Sequence, residues 1–173
     1  DGHELTLATH VLGPWRLTQA LRPKLRASAD PRVILVSSGG MYTQRLSLAD
    51  CEWQRRRYDG VVAYAQTKRM QVVLAQLLAE DVPRGTVSAM HPGWADTPAV
   101  RSSLPRFRAV MQDRLRTPAQ GADTVLWLAA SDAARGRSGQ FWFDRAVRSP
   151  HLLPWTRESR ADRAALLAFC ERH

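Results

Sequence analysis

Tyr64 and Lys68 stand four residues apart, and Ser37-Ser38 lies upstream at the end of an apolar run. Residues four apart share one face of a helix, so this spacing sets a phenol beside an ammonium. A free tyrosine titrates near ~10, too high for proton exchange at neutral pH, and a cation a few ångströms away favours the phenolate. Tyr64 is therefore a candidate general acid/base. A serine hydroxyl nearby can hydrogen-bond a carbonyl or alcohol oxygen and hold it in front of the tyrosine. Of the 25 Lys and Arg residues, only Lys24 and Lys68 are lysine. A chain that uses arginine almost everywhere keeps the compact ammonium here, and the planar guanidinium fork is no substitute for it. Taken alone, the pair reads as an ordinary exposed helix pair.

The elements that must position these residues can be read from hydrophobic period. Residues 4–29 carry Leu5, Leu7, Val11, Leu12, Trp15, Leu17, Leu21 and Leu25 on a broad helical face. Pro14 sits inside it and deprives the carbonyl of His10 of its i+4 donor, so a kink is expected. Asp30-Pro31 is a turn. Arg32 to Ser38 is a strand, β-branched and apolar on both faces, suited to the centre of a parallel sheet. Ligands of such sheets bind beyond the carboxyl ends of the strands, where Ser37-Ser38-Gly39-Gly40 falls. Residues 41–60 are polar and irregular, with Tyr42, Trp53 and Tyr58 as anchors. The helix over 61–80 carries Tyr64 and Lys68, and Val62, Met70, Val73, Leu74, Leu77 and Leu78 form its core stripe. Thr86 to Met90 is a second buried strand, ending in His91-Pro92-Gly93. Thr117-Pro-Ala-Gln120 is a capping box that opens a helix through Ala130, with Ala122, Val125, Leu126 and Leu128 as its apolar set. Gln140 to Phe143 is a short aromatic strand. Ser159 caps a final helix through Arg172, which carries Ala165, Leu166 and Phe169.

Composition bounds the rest. At 173 residues, with 45% hydrophobic and 24% charged residues, the chain reads as one globular domain. No run of 18 apolar residues exists, so no membrane span is expected. The start shows no signal-peptide pattern. Cys51 and Cys170 form neither a metal spacing nor a disulfide framework, so no metal is expected and a reduced, cytoplasmic setting is the default. The net charge of +9 and pI of about 10.9 admit nucleic acid or an anionic membrane as partner. The arginines are nevertheless spread along the chain, with Arg55-Arg56-Arg57 the only run of three, so no nucleic-acid partner is expected.

Val33-Ile-Leu-Val-Ser-Ser38, Tyr64-x-x-x-Lys68 and His91-Pro-Gly-Trp-Ala-Asp-Thr97 follow one another in the order and spacing of the short-chain dehydrogenase/reductase family. The chain resembles that family over nearly its whole length. The resemblance implies an α/β fold, the C-terminal half of a Rossmann-type, doubly wound parallel sheet. It also implies NAD(P)-dependent oxidoreductase chemistry, a hydride passing between the nicotinamide and a carbonyl carbon. By the resemblance, Ser38 holds the substrate oxygen and Tyr64 gives or takes the proton. Lys68 lowers the Tyr64 pKa and contacts the nicotinamide ribose. Tyr64, Lys68, Pro92, Gly93 and Thr97 border the cofactor, and Gly40, Met41, Tyr42 and Trp94 border the substrate. Trp94 and residues 98–110 match a lid, whose Leu104, Phe107 and Val110, with Met111 beyond, line the site or pack on the core. At His10 the family usually has Asn, which stabilises the kink and holds a relay water on its backbone carbonyl. His10 departs from that pattern. Pro14 frees the carbonyl whatever the side chain, so the backbone role stays open beside that of a half-buried packing residue.

The family's Thr-Gly-x-x-x-Gly-x-Gly turn and its Asn-Asn-Ala-Gly segment have no match here. In the family these carry the pyrophosphate contacts and the residue that separates NAD from NADP. The implied cofactor is accordingly NADP or NAD, with NADP slightly favoured. Residues 1–173 read as a single, incomplete domain, and the start at Asp1 agrees with a fragment or a chain completed by another polypeptide. The expected partners are a small, lipophilic carbonyl or alcohol substrate, and a second copy or a complementing N-terminal segment. The alternative is a truncated, non-catalytic domain that acts as a binding module.

Overall fold

The computed structural model describes residues 2–82, 84–96 and 115–173. The helix expected over 4–29 forms in three pieces. Glu4 caps α1 (Leu5–Leu7), accepting from the backbone N–H groups of Thr6 and Leu7 at 3.0 and 2.7 Å. A π-turn over Ala8–Leu12 follows, then α2 (Gly13–Ala27). The break expected at Pro14 takes this form: the Gly13 N–H reaches back five residues to the Ala8 carbonyl, so the register shifts and the helix runs on. Leu7, Val11, Leu12 and Trp15 are buried as expected, whereas Leu5, Leu17 and Leu21 are exposed. The far end of α2 meets its neighbour through polar contacts instead, Gln19 and Arg22 both reaching Asp81.

Three parallel strands, β1 (Arg32–Val36), β2 (Thr86–Met90) and β3 (Gln140–Phe143), lie in that order, with β4 (Ala146–Val147) antiparallel to β3. Leu35, Ala89 and Phe141 fall side by side in register and enter the larger core, while Ile34, Met90 and Trp142 enter a smaller one on the opposite face. β2 is buried throughout. β1 was expected at the centre of the sheet, yet among the described residues it pairs on one side only, and Val36 is 42% exposed. The β3–β4 hairpin has no sequence signal, because Asp144 and Arg145 adopt the positive φ angles of 52° and 55° that such a tight turn usually takes from Asn-Gly.

α3 (Gly60–Asp81), capped by Asp59, is the central element. It packs on the sheet, on α1 and the π-turn, and on α5 (Arg160–Arg172). Its residues Thr67 to Ala75 are all buried, a wider face than the expected stripe. α4 (Pro118–Ala130) forms behind the expected Thr117–Gln120 capping box, but buries Gly121, Thr124 and Leu128 and leaves Leu126 exposed. Ser159 caps α5 as expected. That helix buries Leu166, Phe169 and Cys170, and its Ala165 is exposed. Cys51 and Cys170 are buried free thiols.

Candidate active site

The sheet ladder continues past the strands: the Ser37 N–H donates to the Met90 carbonyl (2.7 Å) and the His91 N–H to the Trp142 carbonyl (3.1 Å). Ser38 and His91-Pro92-Gly93 therefore leave the sheet at the same carboxyl end. Buried Ser37 donates its hydroxyl to the Lys68 carbonyl (2.7 Å) and locks the end of β1 to α3. Ser38, half-buried, caps the 3-10 turn Gly39–Thr43 and accepts from the Gly40 N–H at 3.3 Å. A β-carbon on Gly40 would lie 3.7 Å from Ser38 Oγ and 3.8 Å from Ala65 Cβ, and one on Gly39 would lie 3.7 Å from His91 Cε1. The serine turn is thus wedged between His91 and the start of α3, beside Tyr64.

Tyr64 is 40% exposed, with its ring edge-on to His10 at 5.5 Å. Lys68 Nζ lies 5.4 Å from the Tyr64 ring centroid. Lys68 is itself buried and donates to the Val36 carbonyl (2.9 Å) and Gln71 Oε1 (3.0 Å), both neutral. Burial brings its pKa down to about 8. His10 Nδ1 is 2.9 Å from Thr67 Oγ1, which is within 3.1 Å of the Ala63 carbonyl and 3.0 Å of the Tyr64 carbonyl. The hydroxyl proton is directed to those carbonyls, so the network assigns the ring proton to Nδ1. Burial, with help from the Lys68 charge, lowers the His10 pKa to about 4, so the ring is neutral at pH 7.

The second wall is the turn after β2. Gly93 has φ 78°, and a β-carbon there would come within 2.7 Å of Arg116 Nε, so only glycine fits. Its N–H donates to His91 Nδ1 (3.1 Å), and the His91 ring stacks on Phe143 at 4.1 Å. Burial, then the Arg116 charge, lower the His91 pKa to about 4. Arg116 pairs with Asp144 (Nη2 to Oδ2, 2.7 Å) and lies 4.7 Å over the Phe143 ring.

The structure thus brings Ser38, Gly40, Tyr64, Lys68, His10, Pro92 and Gly93 to one end of the sheet. Trp94, 39% exposed, follows the glycine turn. Met41 is corrected: expected at the substrate, it is fully buried in the larger core, where its sulfur accepts from Arg69 Nη1 at 3.3 Å. Tyr42 is half-buried and donates its hydroxyl to the Ser149 carbonyl (2.9 Å). Thr97, the expected lid 98–110 and Met111 lie outside the described residues. Sequence reasoning missed Thr67, Gln71 and Arg116. The first two sit three residues beyond Tyr64 and Lys68, a helical spacing that could have found them. Arg116 carries no such signal. Among the described residues no group of three or more His, Cys, Asp or Glu is placed to hold a metal ion.

No family model matches the chain. Its similarity to curated proteins and its fold show that it belongs to the short-chain dehydrogenase/reductase family, with that family's Rossmann-type α/β architecture. It is 49% identical over 173 residues to dehydrogenase/reductase SDR family member 12 of Homo sapiens, a match covering 99% of this chain and 55% of that protein. It is 33% identical over 160 residues to polyprenol dehydrogenase of Danio rerio, covering 83% of this chain and 48% of that one. The solved structure of an uncharacterized protein from Mycobacterium Paratuberculosis aligns with a TM-score of 0.71 at 26% identity, over 98% of this chain and 58% of that one. The chain spans about half the length of the curated relatives it matches.

Proposed function

We propose that the chain carries the proton-transfer half of an NAD(P)-dependent oxidoreductase that interconverts a carbonyl and an alcohol. One observation supports this most: Ser38 leaves the carboxyl end of β1 next to the start of α3, where Lys68 is buried with its Nζ 5.4 Å from the Tyr64 ring centroid. The donor set also fits the nicotinamide end of such a cofactor. An ammonium has three N–H groups. Val36 and Gln71 take two from Lys68, and the third is the match for a ribose hydroxyl. Pro92 and Gly93 would flank the ring, and Thr97 would hold its carboxamide. When bound, the nicotinamide supplies or accepts the hydride.

In the reductive direction, the Ser38 hydroxyl donates to the substrate carbonyl oxygen while the Gly40 N–H fixes Ser38 Oγ from behind. Tyr64 donates from the other side and passes its proton to the oxygen as negative charge builds there. The Lys68 cation stands beside the phenolate so formed. His10 and Thr67 brace the Tyr64 ring and backbone. The oxidative direction reverses each transfer. A complementing segment would supply the pyrophosphate contacts, NADP is favoured over NAD, and the cytoplasm is the proposed compartment. The polyprenol dehydrogenase likeness supports a lipophilic substrate.

The test is fluorescence of NADPH and NADH bound to the folded protein, followed by turnover with a panel of lipophilic ketones and aldehydes. Saturable binding, with turnover that Tyr64→Phe lowers by about 10²-fold or more, is the expected result. Turnover indifferent to Tyr64→Phe would overturn the mechanism. No cofactor binding at all, even with the complementing segment added, would leave the non-catalytic binding module.

A further inference from the structure

One exposed apolar loop plays no part in the candidate active site. Between Arg148 and Arg160 the chain crosses from β4 to α5, and Leu152-Leu153-Pro154-Trp155 form its outer face. Leu152 is 69% exposed, Leu153 43% and Trp155 72%. Consecutive large apolar side chains held in water on one short loop are unusual and mark an interaction surface.

The loop is built from beneath. Arg69, on α3, donates Nη1 to the Pro150 carbonyl (2.6 Å) and Nη2 to the Thr156 carbonyl (2.9 Å), and pairs with Glu158 at 2.6 Å. The Tyr42 hydroxyl holds the Ser149 carbonyl, and the Thr156 hydroxyl holds the Leu153 carbonyl at 2.7 Å. The Ser149, Pro150, Leu153 and Thr156 carbonyls are thus held by protein donors, while Leu152, Leu153 and Trp155 are exposed on that base. Glu158 is the only acid from 148 to 160, and Arg69 neutralises it below the surface. Arg148, Arg157 and Arg160 are exposed at the two ends of the loop.

An apolar tip with an indole, ringed by arginines on a chain of net charge +9, complements one surface above others. We propose that this loop docks on an anionic lipid bilayer. Leu152, Leu153 and Trp155 enter the headgroup boundary, where an indole can keep its N–H wet and bury its ring. Arg148, Arg157 and Arg160 meet lipid phosphates and carboxylates. The fixed base lets insertion proceed without ordering a flexible segment. The proposed contact is a loop that lies at the headgroup level, and no helix among the described residues is long and apolar enough to cross a membrane. The proposal stands apart from the oxidoreductase reading, since it uses neither Ser38, Tyr64 nor Lys68.

The experiment is co-sedimentation of the full chain with phosphatidylcholine vesicles with and without phosphatidylserine. Binding is expected on the anionic vesicles and is weakened by added salt. Leu152→Ser with Trp155→Ser is expected to lower the partition constant by about tenfold or more, from the apolar area withdrawn. Arg148→Gln with Arg157→Gln is expected to lower it by about fivefold per arginine on anionic vesicles only. All four side chains are exposed, so each variant keeps the wild-type melting temperature. Absence of binding to anionic vesicles, or binding indifferent to the apolar variant, overturns the proposal. So does lipid-free self-association that the apolar variant abolishes, because a second copy would then be the occupant.

Discussion

Lys68 and Arg69 are consecutive on α3, both are buried cations, and the protein treats them in opposite ways. Arg69 has a carboxylate, Glu158, at 2.6 Å, with the Pro150 and Thr156 carbonyls beside it. Burial pulls its pKa down and Glu158 pushes it back, and a guanidinium stays charged at physiological pH. Among the described residues Lys68 meets neutral dipoles, the Val36 carbonyl and the Gln71 amide, and its pKa falls to about 8. One charge is compensated and fixes a loop. The other has no carboxylate partner among the described residues, and it lies beside Tyr64, whose phenolate it would face in the proposed mechanism. The role of a buried charge here follows from its partners and not from its burial.

The comparison breaks most visibly through stability. Arg69→Met leaves the Glu158 carboxylate in the interior with only the His151 ring beside it among the described residues, at 3.2 Å, and is expected to cost about 3 kcal/mol. Lys68→Met strands no charge and should stay within about 1 kcal/mol of wild type at pH 7. Urea unfolding midpoints of the two variants decide, and equal losses would erase the distinction.

The next effect is in pH. Because the folded pKa of Lys68 is depressed to about 8, the unfolded chain binds a proton that the folded chain lacks between there and the ordinary lysine value. Stability contributed by Lys68 therefore rises with pH across that window, by about 3 kcal/mol at the limit. The Cys170 thiol, pushed up to about 12 by burial, works in the opposite sense. The quantity to measure is thus the wild-type curve minus that of Lys68→Met, and a flat difference would contradict the lowered value.

On the acid side, His10 and His91 are both held neutral by burial, at about 4. The unfolded chain protonates them first, so stability falls as pH drops from about 6.5 toward 4, by roughly 3 kcal/mol per histidine at the limit. His91→Gln should shallow that acid limb, seen by thermal melts at successive pH values. The smallest effect is at the brace: Thr67→Val removes the contact to His10 and should cost about 1 kcal/mol. If Thr67 also positions Tyr64, kcat falls in that variant while KM holds, and an unchanged kcat would leave it a packing residue.

Much of this was legible in the chain. The capping boxes at Thr117 and Ser159, the strands at 32, 86 and 140 and the long helix under Tyr64 all carry local signals that the structure repeats. The positions of Ser38 at the end of a strand and of Lys68 four residues after Tyr64 on a helix were legible too, whereas the choice of Ser38 over Ser37 came from the family resemblance. The misses share a cause, which is tertiary. Leu17, Leu21 and Leu126 have helical period but nothing apolar packs over them among the described residues, so period alone misplaced them. Met41 is drawn into the core by the 3-10 turn, a geometry its sequence does not announce. Arg69 looked like one arginine among many, and its partner Glu158 lies 89 residues on, too far for any local rule. The hairpin at Asp144-Arg145 takes positive φ without glycine and so escaped notice.

The most direct test of the Lys68 assignment is its own titration. The chain has two lysines, so Lys24→Arg leaves Lys68 as the single side-chain ammonium to follow by carbon-detected NMR. The structure predicts one transition at about 8, with the Tyr64 ring signals moving at the same pH. A Lys68 that titrates at the ordinary value near ~10.4 would mean that the ammonium is solvated or paired, and the contrast with Arg69 would fall.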